Sequence, residues 1–312
     1  MPFRYTLRQL EYFVAVGKAG SIAAASDKLN VSSPSISAAI TQLEVEFGVS
    51  LFVREHARGL SLTKAGHKFM ERTEFVLREA ELLATLAGDI TGKVQGVLSV
   101  GCLVTFAQII LPGLRREFED IYPEVRIEQR ELNQAEIFSQ LRRAELDIAL
   151  TYDLDIPADL NFRPLHALPP YVVLGQDHPL ADRSELAISD LQDNPMVLLD
   201  LPFSGEYFLS FFREANIKPN IAERTADMSV MRSLVANGFG FSIANIRPIN
   251  ALSPDGKKLI FVPLAGDLRP MKLGLLSARS ENETNTKKAF VEHCEQAVTS
   301  GTLPGLYAEA QD

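Results

Sequence analysis

The chain predicts an α/β protein with a small helical head, a long connecting helix and a two-lobed α/β remainder. Three observations carry this. Residues 1–62 hold three short helical periods and a brief hairpin; 63–92 hold one long apolar seam; strands alternate with helices over 93–301. Within the last block, 93–164 and 268–301 are expected to form one lobe and 165–267 the other, with a loose tail over 302–312. A chain of 312 residues, 46% hydrophobic and 23% charged, is long enough to bury two or three cores. No apolar run approaches the roughly 18 residues of a membrane span. The start, MPFRYTLRQLEYF, lacks the apolar stretch of a signal peptide, so the cytoplasm and no membrane partner are expected.

In the head, Leu7, Leu10, Phe13, Val14 and Val16 share a helical period, with Thr6 as N-cap and Gly17 or Gly20 as stop. Ser21 caps a second run, Ile22 to Leu29, and Asn30 with Val31 makes a turn. Ser33 followed by Pro34 reads as the next N-cap, and Ile36, Ile40, Leu43 and Phe47 give that helix an apolar face up to Gly48. Two extended runs around the polar loop Arg54 to Gly59 form a hairpin, or wing. From Thr63, the spacing of Phe69, Thr73, Val76, Ala80, Leu83, Ala87 and Ile90 is an a/d seam on a helix of about 28 residues. At 1.5 Å per residue that helix spans about 42 Å, more than a small domain needs, so pairing with a second copy is expected.

The glycine-rich stretch 88–96 separates head from body. Beyond it come strand VLSVGCL, a helix near Phe106 to Tyr122, strand VRIEQREL, a helix near Ala135 to Ala144 and strand LDIALTY, the pattern of a parallel α/β domain. Further units follow to a last helix near Thr284 to Thr299.

Charge and composition narrow the function. Eight Lys/Arg against five Asp/Glu over residues 1–68 give +3, leaving −12 on the rest of a chain whose net charge is −9. A basic head on an acidic body suits a nucleic-acid end joined to something else. The stretch SIAAASDKLNVSSPSISAAI sets alanines, which allow a tight helix crossing at Ala23 to Ala25, before a helix start rich in hydroxyls. Short polar side chains there permit close approach to base edges and phosphates. A bundle whose serines only cap and solubilise satisfies the same twenty residues.

The longer string decides more. The Leu-x-x-Phe first helix, Gly-Ser before an alanine-rich second helix, Ser-Pro-Ser-Ile-Ser opening the third, then LE, FG, LFVR and LTKAG, closely resemble the N-terminal winged helix-turn-helix of LysR-type transcriptional regulators. The remainder looks like that family's effector domain. The resemblance therefore implies an α/β fold class with an N-terminal all-α winged helix-turn-helix, a long linker helix and a two-lobed, periplasmic-binding-protein-like effector domain. It also implies double-stranded DNA as a partner, a homodimer through the linker helix and a homotetramer through the effector domains. Carried over residue by residue, Ser32, Ser33, Pro34, Ser35 and Ser37 begin the recognition helix, with Thr41 and Gln42 further along its exposed face. Arg54 resembles the wing arginine, Arg58 is a second contact, and Thr63 caps the linker helix and touches phosphate. Ala38 and Ala39 stand where relatives often carry basic or amide side chains, which shifts recognition toward shape and phosphate.

Two α/β lobes bind small molecules where strand ends and helix N-termini converge. That places Leu103, Val104, Thr105, Asn133, Gln134, Tyr152, Phe203, Ser204, Met228 and Ser229 at the effector site. Thr105 and Ser204 cap helix starts that suit an anion such as a carboxylate. No GxSxG, Walker or HExxH sequence is present, so no catalytic set, metal or cofactor is expected and the chain is read as a regulator, not an enzyme. A cytoplasmic small-molecule-binding protein or enzyme on the same two lobes is the alternative, which leaves the first ninety or so residues unexplained. Cys102 and Cys294 lack CxxC spacing and read as core residues; a thiol-based sensor would need one of them to oxidise.

Overall fold

The computed structural model describes residues 4–55, 59–279 and 283–306. It divides into two compact units between Ala87 and Gly88. In the first unit, α1 (Leu7–Ala19) opens on Thr6: the Thr6 hydroxyl accepts from Gln9 N–H while the side-chain Oε1 of Gln9 accepts from Thr6 N–H at 2.8 Å. The helix stops at Gly20, in left-handed backbone, and runs through Gly17. Next, α2 (Ile22–Leu29) is capped by Ser21 and ended by Asn30 at φ 53°. Ser26 Oγ donates to Val31 O and Val31 N–H returns to Ser26 O, closing the turn. In α3 (Ser33–Phe47) the N-cap is Ser32, not Ser33, because it is the Ser32 hydroxyl that accepts from Ser35 N–H; Pro34 falls in the first turn.

Tyr12, Val16, Ala25, Ile36, Ala39 and Ile40 form one core of this unit, and Leu10, Phe13, Leu43 and Leu51 another. Of the three alanines expected at the helix crossing, only Ala25 is buried; Ala23 and Ala24 face solvent. The wing is β1 (Phe52–Glu55) paired antiparallel with β2 (Gly59–Leu62).

Thr63 then locks α4 (Lys64–Thr91) to the head. Its N–H donates to Leu51 O at 2.9 Å, its hydroxyl donates to Ser50 O at 2.7 Å and accepts from Gly66 N–H at 2.8 Å. A Cβ at Gly66 would lie 2.2 Å from Leu51 O, so this position admits glycine alone. Along the seam Thr73 is buried, while Val76, Leu83 and Ile90 are exposed at 40%, 67% and 78%, with Phe75, Leu82 and Leu86 exposed beside them.

In the second unit, β3 (Gly96–Leu103), α5 (Val104–Ala107), α6 (Leu111–Ile121), β4 (Val125–Leu132), α7 (Gln134–Arg142), β5 (Ile148–Tyr152) and β6 (Leu160–Leu168) build the first lobe. The second lobe holds β7 (Tyr171–Gly175), β8 (Pro195–Leu199), α8 (Ser204–Glu214), β9 (Asn220–Thr225), α9 (Met228–Ala236), β10 (Ser242–Ala244) and β11 (Leu259–Pro263). The chain returns to the first lobe through β12 (Met271–Ala278) and α10 (Asn285–Thr299). The first sheet has order β4-β3-β5-β12-β6; the second lobe holds β10-β7-β11 and β8-β9, joined by a bridge between Met196 and Phe241.

Four expectations change. The domain is mixed, not parallel, because β12 enters antiparallel to both β5 and β6. The helix near 106–122 is two helices, since Pro112 has no N–H for the carbonyl of Gln108 and its ring excludes that carbonyl from a helical turn. A strand, β6, crosses the expected lobe boundary at 164; its Pro164 is tolerated because β6 is a sheet edge. The start of the tail is packed, with Leu303 and Leu306 in the core; residues 307–312 lie outside the described residues.

Candidate DNA-binding face and effector cleft

The exposed side of α3 is a shallow groove formed by Pro34, Ser37, Ala38, Thr41, Gln42 and Val45, residues three and four apart. Its start is ordered by Ser32 Oγ and Ser35 Oγ, 2.8 Å apart. Thr41 Oγ1 donates to Ser37 O at 3.0 Å, so this hydroxyl offers a ligand an acceptor and a methyl group but no proton. Gln42 is held more tightly. Gln9 Oε1 is occupied by a backbone donor, Thr6 N–H, which fixes the Gln9 amide and turns its Nε2 toward Gln42 Oε1 at 2.7 Å. Gln42 therefore presents N–H donors outward. With one lone pair of its oxygen still free, the amide can both donate and accept.

Between the lobes of the second unit lies a cleft of about 430 Å³. Val104, Ala107, Gln108, Glu131, Asn133 and Glu136 line it from the first lobe. Leu201, Ala226, Asp227 and Met228 line it from the second. Asn133 and Glu136 form a capping box at the start of α7: Asn133 Oδ1 accepts from Glu136 N–H at 3.0 Å and Glu136 Oε2 from Asn133 N–H at 2.9 Å. Asp227 caps α9 through the N–H groups of Ser229 and Val230. Three carboxylates thus face the cleft, each with an oxygen to spare, and none of the lining residues is basic. Ser229 Oγ reaches Gln108 Oε1 at 3.3 Å, joining one lobe to the other at the edge of the cleft.

Two family models match: a bacterial regulatory helix-turn-helix of the lysR family over residues 7–67, and the LysR substrate binding domain over residues 91–299, more than half of the chain. The chain belongs to the LysR family of transcriptional regulators. The solved structure of HinK, a LysR family transcriptional regulator from Pseudomonas aeruginosa, is similar at 36% identity and a TM-score of 0.64, covering 94% of this chain and 98% of that one. The regulator AlsR of Bacillus subtilis is 26% identical over 306 residues, 96% of this chain and 99% of its own. The Hca operon transcriptional activator HcaR of Escherichia coli is 30% identical over 270 residues, 86% and 90% of the two chains. This LysR regulator accordingly carries a DNA-binding head and an effector-binding domain.

Within it, the expected site residues fall into separate groups. Ser32, Pro34, Ser35, Thr41 and Gln42 are exposed on or before α3, while Ser33 and Ser37 are half-buried. Ala39 is buried in the head core, so it reads nothing; Ala38 alone of that pair faces out. Thr63 has spent its single hydroxyl proton on Ser50 O and cannot donate to a phosphate. Arg54 stands in β1 opposite Leu60, and Arg58 lies outside the described residues.

Of the ten effector residues expected, Val104, Asn133 and Met228 line the cleft. Leu103, Thr105, Gln134, Tyr152 and Ser204 are buried behind it instead. Gln134 is used up internally, accepting from Thr151 Oγ1 and donating to the carbonyls of Tyr152 and Leu154. Burial pushes the Tyr152 phenol well above its ordinary value, with the Thr105 hydroxyl opposing, and its ring packs on Phe106. Phe203, at φ 68°, meets the Phe138 ring at a tilt of 45°, and Ser229 lies at the edge of the cleft against Gln108. Glu131, Glu136 and Asp227 were not foreseen; the Asn-x-x-Glu spacing of 133–136 and an aspartate before a helix were the available signals. The cleft is therefore acidic where an anion site was expected.

Proposed function

We propose that α3 lies in the major groove of duplex DNA, with Ser32, Ser33, Pro34, Ser35, Ser37, Thr41 and Gln42 toward base edges and phosphates and Arg54 and Arg58 of the wing toward the backbone. The observation that carries this is the exposed groove of small and polar side chains on α3, at helical spacing, with no bulky residue to hold the helix off. The exposed apolar ridge of Leu83, Leu86 and Ile90 supports a homodimer through residues 63–92, which spaces two heads along one duplex; contacts between effector domains then make a tetramer. A small molecule in the inter-lobe cleft shifts the balance between arrangements by its differential affinity for them.

The cleft's three carboxylates argue against the organic anion expected from the sequence and favour a neutral or positively charged effector. A gel-shift titration with the DNA upstream of the chain's own gene tests the reading. Retention at roughly nanomolar to micromolar protein supports it. Absence of any shift at low ionic strength overturns it. In the same assay Arg54→Ala lowers affinity and reduces the slope of log affinity against log salt by about 1; an unchanged slope removes the wing contact.

A further inference from the structure

The Gln42 amide is oriented by a residue that lies outside α3. The series of contacts starts at a fixed backbone group: Thr6 N–H, at the start of α1, donates to Gln9 Oε1 at 2.8 Å, which settles the end of the Gln9 amide that faces away from the cap. That end, Nε2, donates to Gln42 Oε1 at 2.7 Å across 33 residues of sequence. Beneath the bridge the adjoining Leu10 and Leu43 are 3% and 0% exposed and pack in one core, so buried side chains set the spacing of α1 from α3 at this point. Turning the Gln42 amide over would set N–H against N–H, so its two orientations are unequal. Both protons of Gln42 Nε2 are unclaimed among the described residues, and one lone pair of its oxygen remains.

An amide that offers an N–H and an oxygen lone pair together matches adenine in the major groove, where the N7 acceptor stands beside the N6 donor; guanine shows two acceptors there, cytosine a donor and thymine an acceptor with a methyl group. A free glutamine forms the same pair only after giving up rotamers and one of its two orientations. A buttressed one has done so before the duplex arrives. Pro34, Ala38 and Val45 of the groove have no polar side-chain atom and Thr41 has given its proton to Ser37 O, so Gln42 carries most of the base-reading capacity of this face. We infer that Gln9 is a positioning residue for DNA recognition: it holds the Gln42 amide for a two-bond contact with one adenine, and so sets base preference at a position it does not itself touch. Ala38 and the Thr41 methyl group lie beside Gln42 in the same groove and suit the thymine methyl of an A·T pair. The inference rests on the reading that α3 lies in the major groove.

The test measures binding of the full-length protein to the DNA upstream of its own gene by fluorescence anisotropy, with each base pair of the bound segment replaced in turn. In the parent, one base pair per head should prefer A·T by about ten-fold, and Gln42→Ala should flatten that position alone. Gln9→Glu keeps an acceptor for Thr6 N–H, and with it the capping box, but offers Gln42 an acceptor where Gln9 offered a donor. The Gln42 amide then turns over, and the preference at the same base pair should fall to about three-fold or less. The added negative charge weakens every DNA variant alike and cancels in the ratio. In the Gln42→Ala background Gln9→Glu should leave the base preferences unchanged, because the two residues act through one contact. A purely structural Gln9 would move the melting temperature or the overall affinity and not the ratio at one base pair. The inference is overturned if Gln42→Ala flattens no position, if the position it flattens prefers a base other than adenine, or if Gln9→Glu leaves the preference as in the parent. Any of these with DNA still bound removes the role of Gln9 alone; failure of the parent to bind DNA removes the groove reading with it.

Discussion

Gly66→Ala puts the junction between head and linker helix to the test. The added methyl carbon would stand 2.2 Å from Leu51 O, 3.1 Å from Leu51 C and 3.2 Å from Leu62 Cδ2. Contacts below 3.0 Å essentially never occur, so α4 and the 51st carbonyl must part by at least 0.8 Å. Backbone on both sides leaves no rotamer to absorb the shift. Overpacking of this kind costs about 1–3 kcal/mol. The same carbonyl accepts Thr63 N–H at 2.9 Å, and losing that bond costs about 1 kcal/mol more. The better helix propensity of alanine returns about 1 kcal/mol at most. A net loss of about 2 kcal/mol lowers the melting temperature of a unit this size by about 8–16 °C. Scanning calorimetry of the full chain reads it, the head transition being the one that rises when DNA is added. A head transition that stays in place or moves up would refute the steric argument.

Three further predictions follow from named contacts. Ser32→Ala should cost the head about 1 kcal/mol and Ser33→Ala almost nothing, measured by the same transition, since only Ser32 accepts from the helix start. Burial pushes both Cys102 and Cys294 up, with the charge of Glu131 adding at Cys102 and that of Glu295 at Cys294, so hardly any thiolate exists near pH 7. Both should resist a disulfide reagent until the protein unfolds, and peroxide should leave DNA binding unchanged; rapid labelling of the native protein would restore the thiol sensor. The Arg142 guanidinium grips Asp159 through two bonds, of 2.7 and 2.8 Å, and holds its carboxyl down to about 2 from an ordinary 3.8. A depressed acid stabilises the folded state above the unfolded value and loses that contribution as pH falls through the folded one. Carbon-detected NMR should therefore show Asp159 ionised at pH 3, and Arg142→Ala should bring its titration back up.

Much of the head was readable because its signals are local. Thr6, Ser21, Gly20, Asn30 and Gly48 each act on the next few backbone groups, and a capping side chain beside an apolar period marks a boundary without help from the rest of the chain. The body was read correctly where strands are buried on both faces, as in β5 and β7, and misread where pairing is remote. Nothing near Pro164 announces that β12, more than a hundred residues on, will pair with β6. Which side chains line the cleft was only partly legible, for a related reason. Strand ends and helix starts can be located along the chain, but which side chain at each end faces the gap depends on the twist of the finished sheet. Gln134 and Ser204 turned inward while Glu136 and Asp227 turned out. Arg232 offered no sign at all: on the run MSVMRSLVA it reads as an ordinary surface arginine of an amphipathic helix, and only the carbonyls of 250 and 252 pull it inside.

The contact between Ser229 and Gln108 is long for a hydroxyl bond, 3.3 Å, and both residues are at the water's edge. Such a latch is worth about 1 kcal/mol or less, a factor of five or so in the ratio of shut to open. A small molecule that prefers one setting of the lobes by about 1 kcal/mol would outweigh this latch.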